Sequence, residues 1–159
     1  MASNYAEAVR VCLDRHHSSG AEFQLADNGR IEKAIAEWET VDRRITSAWA
    51  NRDDATRDGA YGLALAAVEI MRGLVAVSRA ETRTGADYYL GTRDEVLQDL
   101  EASIRLEVSG TDEGGQSVIN GRLKQKLEQA NEGCSNLPAM ASVVGFRALQ
   151  IISADVKKP

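Results

Sequence analysis

Two acidic residues stand out because each lies in a segment whose side chains alternate in character. In RLEVSG, residues 105–110, Leu106 and Val108 fall on one side of an extended chain and Glu107 and Ser109 on the other; in ADYYLG, Asp87 and Tyr89 alternate against Ala86, Tyr88 and Leu90. Carboxylates on neighbouring strands can share one divalent cation, since hard cations prefer oxygen and Mg²⁺ takes one or two carboxylates, completing its shell with water and a phosphate oxygen. Such a cation polarises a phosphodiester and supplies hydroxide near neutral pH. Asp87 and Glu107, with Ser109 alongside, are therefore the leading candidate site, and Mg²⁺ is the cofactor they imply. The competing expectation is an ordinary wet strand face, on which Asp87, Arg105, Glu107 and Ser109 meet water and Asp87 pairs with Arg105 across the strands.

The elements that must hold these residues follow from periodicity. Apolar positions recur at helical spacing from about Ser3 to His16, with Ser3 or Asn4 as cap. A second helix is expected from Gly29 to Ala50, with Ile31, Ile35, Trp38, Ile45 and Trp49 as its buried stripe. A third, from Ala55 to Arg83, is apolar nearly all round between Tyr61 and Val77, as a buried spine would be. Period 2 then takes over in the two strands around Asp87 and Glu107. Ser117 opens a helix with inner stripe Ile119, Leu123, Leu127, ended by Gly133, and strands are expected at 139–146 and 150–156. The fold class is α+β in the order α-α-α-β-β-α-β with a further β: one domain over 1–159, with a helical region at 1–54 and a helix-plus-sheet core at 55–159.

This layout resembles the PD-(D/E)xK, or restriction-endonuclease-like, nuclease superfamily: a helix bearing a glutamate, a strand with Asp, a strand with Glu-x-Lys, a helix and a strand. The likeness covers about residues 60–146. It implies a metal-dependent phosphodiesterase or a non-cutting relative, with Glu69 or Glu81 as the helix glutamate, Glu69 joining Asp87 and Glu107 as metal ligands, and Glu107-Val108-Ser109 in place of Glu-x-Lys. Ser109 cannot carry the lysine's charge; Lys124 or Lys126 of the following helix would supply it. Read as one helix to Arg83, the chain lacks the strand that the family has before its aspartate. The words TGADYYLG and RLEVSG also look like those of a family of small bacterial proteins, which implies no activity.

Composition bounds the rest. The net charge of −5 argues against gripping long nucleic acid by overall field, so a nucleic-acid partner would dock on the basic face Arg122, Lys124, Lys126. The absence of a signal-like start and of a long apolar run predicts no membrane and a cytoplasmic protein, and Cys12 and Cys134 are too far apart in sequence for a metal motif. Glu69 is expected to be neutralised by Arg72, three residues on, and His16 and His17, about 100° apart on a helix, to serve its end. The alternative reading is a non-enzymatic accessory subunit or bacterial homo-oligomer that docks partners through the Trp-bearing N-terminal region.

Overall fold

The computed structural model describes residues 2–81, 84–94, 100–133 and 135–157. Cys134 and the expected end of the third helix at Arg83 lie outside them, as does the side chain of Ser3. The chain is an α+β protein with a seven-stranded mixed sheet in the order β2-β1-β7-β6-β5-β4-β3. Its elements are α1 (Ala2–Asp14), β1 (Ala21–Asp27), β2 (Arg30–Ala36), α2 (Arg43–Ala48), α3 (Arg52–Arg72), β3 (Val75–Arg79), β4 (Tyr88–Gly91), β5 (Ile104–Thr111), α4 (Gln116–Glu132), β6 (Ala139–Gly145) and β7 (Gln150–Asp155). Neighbours run antiparallel except β1–β7 and β5–β6.

The helical N-terminal third does not hold. Asn28 and Gly29 both adopt positive φ, 48° and 87°, the geometry of a two-residue hairpin turn, and β1 and β2 pair on either side of it from Asp27↔Arg30 to Ala21↔Ala36. Ile31 and Ile35, spaced by four, share a face in a strand as well as in a helix, so their stripe did not discriminate. Only α2 remains of the expected second helix, capped by Asp42, which accepts from the Ile45 amide at 2.8 Å. Both tryptophans are half-buried against α1: Trp38 Nε1 donates to Asp14 at 2.5 Å and Trp49 Nε1 to Glu7 at 3.4 Å.

Helix α3 is the spine, as its composition suggested, but it is shorter. Asn51 accepts from the Asp53 and Asp54 amides to start it, and Gly73, left-handed at φ 68°, ends it. The valine-rich run beyond forms β3, so a strand does lie between the spine helix and Asp87. Ala60, Ala64, Ala67, Val68 and Met71 bury α3 in a core shared with Leu106, Val108, Met140, Val144 and Phe146. Helices α1 and α3 pack together on one face of the sheet, while α4 covers β5, β6 and β7 on the other. Strand β6 is buried along its whole length, as a central strand covered on both sides must be. Cys12, on the inner side of α1, is fully buried, and that burial pushes its thiol up to about 12. None of the described helices is long and apolar enough to cross a membrane.

Candidate active-site cleft

The cleft arises where two strands part. Strands β4 and β5 pair over three positions ending at Tyr88↔Leu106, and one step further the register sets Asp87 opposite Glu107. There β4 stops while β5 runs on to Thr111, leaving an open strand edge. Asp87 closes the ladder with its own groups: its amide donates to Leu106 O at 2.7 Å, and its Oδ2 accepts from the Val108 amide at 2.7 Å. Its Oδ1 accepts from the Tyr61 hydroxyl at 2.8 Å. Tyr61 reaches it because α3 rests directly on β5; a Cβ on Gly110 would stand 2.7 Å from that of Ala60.

Glu107 faces the other helix. Lys126 of α4 donates to its Oε2 at 2.9 Å, and Arg122, one turn earlier, donates to Ser109 at 3.3 Å. Glu107 is only 8% exposed. Burial is the main influence on its carboxyl and pushes the pKa up; Lys126 pulls it down and the charge of Asp87 adds to the upward push. The two carboxylates thus lie on either side of the open edge of β5, close enough to feel each other.

This polar side of β5 is not wet. Arg105 is buried, and its guanidinium donates to the carbonyls of Thr84 at 3.0 Å and of Ser135 and Leu137 at 3.4 Å instead of pairing with Asp87. It thereby ties the loop leading into Asp87 to the segment that follows α4. The alternation was read correctly, but α4 covers the face that alternation alone left to solvent.

The resulting cleft measures about 550 Å³, and six charged residues line it: Asp53 and Arg57 from α3, Asp87, Asp112 beyond β5, and Arg122 and Lys126 from α4. At one end Asp112 accepts from Arg52 at 2.7 Å, His16 at 2.9 Å and Arg15 at 3.3 Å. Burial works against its charge, but these three partners outweigh it and hold the carboxyl below its ordinary value of 3.8. At the other end Tyr61 meets Tyr88 edge-on and Tyr5 at a tilt, with ring centres 5.6 and 5.7 Å apart, and the Tyr5 and Tyr88 hydroxyls are hydrogen-bonded.

The cleft therefore brings Asp87, Ser109 and Lys126 together; Glu107 is paired to Lys126 but does not itself line the cleft, and Glu69 and Lys124 lie elsewhere. Glu69 pairs with Arg93, about 12 Å along α3 from Tyr61 at helical rise. Arg72, its expected partner, instead bridges Asp27 at 2.5 Å and Asp155 at 2.7 Å. Lys124 points away because two residues turn a helix by about 200°, and it lines a different groove. Glu81 sits exposed in the turn before Gly85. Tyr61, Arg57 and Asp112 were missed. Asp53, Arg57 and Tyr61 recur every four residues, a polar stripe on one side of α3 that was a readable signal. The side chains of His16 and His17 do not cap the helix end but reach across to other segments, His16 to Asp112 and His17 to the Phe146 carbonyl, each at 2.9 Å.

Compared with protein-family models, curated proteins and solved structures, the chain matches none.

Proposed function

We propose that the chain is a metal-dependent nucleic-acid phosphodiesterase of the restriction-endonuclease-like type, with its site in the cleft at the open edge of β5. The observation that carries this reading is a cleft lined by Asp87, Ser109 and Lys126, with Glu107 of the neighbouring strand paired to Lys126. The succession α3-β3-β4-β5-α4-β6 is similar to the superfamily's helix, strand, Asp-bearing strand, Glu-bearing strand, helix and strand. Lys126 offers from α4 the charge that Ser109 cannot.

The donor set suits Mg²⁺, which uses one or two carboxylates and fills its shell with water and substrate oxygens. Asp87 and Glu107 would supply the two. A cation bound there would supply Lewis-acid polarisation of the phosphodiester and an acidified water. The chain's own residues do the rest. Tyr61 and the Val108 amide hold Asp87 in one orientation while leaving a lone pair on each oxygen. Arg57 and Arg122, on opposite walls, grip phosphate oxygens, and Ser109 offers them a hydroxyl. Lys126 offsets negative charge as it develops on the phosphoryl group.

Labelled single- and double-stranded DNA and RNA incubated with Mg²⁺ or Mn²⁺ test this. Wild type yields metal-dependent products that disappear in Asp87→Asn with Glu107→Gln. No products from wild type, or products undiminished in the double variant, refute the reading.

A further inference from the structure

A second groove, of about 510 Å³, runs between α4 and the outer end of β7. Leu123 and Leu127 of α4 meet Ala154 and Val156 across it. Around the leucines, α4 adds Asn120, Lys124, Glu128 and Asn131, all exposed. Among the described residues neither Lys124 nor Glu128 has an ion-pair partner. Lys preceding Glu by four is the less favourable order for a pair within one helix. Two opposite charges thus flank an apolar groove without being matched inside the chain.

The two charges lie four residues apart on the same side of α4, so a second helix laid antiparallel can match them twice. Laid antiparallel about a centre at residue 126, two copies set Lys124 opposite Glu128 in each half and leave Leu123 and Leu127 within about one helical turn of each other across the seam. A two-fold axis demands such self-complementarity of a single surface patch. The sheet adds a seat beside it. Phe23 and Leu25 turn to the α3 side of β1, so the register puts Ile31 and Ile35 of β2 on the α4 side, where they are 61% and 66% exposed. Strands β1 and β2 span about 10 Å on that side, the width of one helix.

We propose that this face is the contact surface of a homodimer, in which the α4 helices of two copies pack antiparallel, Lys124 of each pairs with Glu128 of the other, and each α4 lies over the uncovered β1–β2 strip of its partner. The surface is distinct from the phosphodiester cleft, whose lining comes from the other side of α4.

Light scattering on the size-exclusion eluate of the full chain tests it over a hundredfold range of concentration. Wild type elutes at twice the 17.2 kDa chain mass. Lys124→Glu and Glu128→Lys each place like charges opposite one another twice per dimer and weaken association by roughly tenfold or more, with unchanged far-ultraviolet dichroism. Mixing the two single variants restores a dimer, since a Lys124→Glu chain faces a Glu128→Lys chain with both pairs matched. A monomeric wild type at every concentration overturns the proposal, as does a dimer indifferent to both reversals or a mixture that fails to reassociate.

Discussion

Lys126 Nζ lies 2.9 Å from Glu107 Oε2, joining the middle of α4 to the centre of β5 in a pair whose side chains are 24% and 11% exposed. An ion pair so enclosed is costly to break from one side and cheap to replace from both.

Lys126→Met is accordingly expected to destabilise the protein by about 1.5–3 kcal/mol, because it leaves Glu107 buried without its cation. Lys126→Met with Glu107→Leu recovers most of that loss. Urea unfolding of the four proteins closes the cycle; a double variant as unstable as the sum of the singles shows the pair not to be coupled.

Among the described residues the Tyr61 hydroxyl donates to Asp87, and Tyr61→Phe is expected to cost about 1 kcal/mol of stability. Burial pushes the phenol of Tyr61 above its ordinary value of 10.0, with the nearby Asp87 charge adding to it; burial likewise raises Tyr88, aided by its bond to Tyr5. A group whose folded pKa is raised contributes stability below its unfolded value and loses it as pH climbs through the folded one. Absorbance at about 295 nm should show Tyr61 and Tyr88 still protonated near pH 10 and ionising only as the protein unfolds in alkali. Full reversible titration of all four tyrosines about pH 10 in the folded protein contradicts it.

Much of this site was legible in the chain before the fold was known. Period-2 alternation located β4 and β5, and the β-branched run located β6 and β7 within a residue. The hairpin was missed because Ile31 and Ile35 fit both periods, although Asn28-Gly29 is a strong turn signal. Strand β3 was missed because Leu74–Val77 continues the apolar texture of α3 beyond Gly73. Burial of Arg105 and Glu107 was out of reach, since it depends on α4 packing over them after a parallel crossover. Lys126 and Lys124 were both candidates, and helical geometry alone separates them once Arg122 is placed.

Asp112 gives the fold an acid-sensitive joint. With its folded pKa below 3.8, its three contacts contribute stability that is fully present above that value and lost as pH falls below it. Asp112→Asn is expected to cost about 1 kcal/mol at neutral pH and to match wild type at a pH below the folded value. Thermal melts at both pH values check this; an equal gap at both shows the charge to be immaterial.

The central claim is that Asp87 and Glu107 serve one cation between them. Titration of Mn²⁺ into the full chain, followed by the loss of the free-ion paramagnetic resonance signal, measures this most directly. The account predicts one bound ion per chain in wild type, weakened at least roughly tenfold in either Asp87→Asn or Glu107→Gln and abolished in the pair, with the fold intact by dichroism. Wild type that binds no ion, or variants that bind as wild type does, would contradict it.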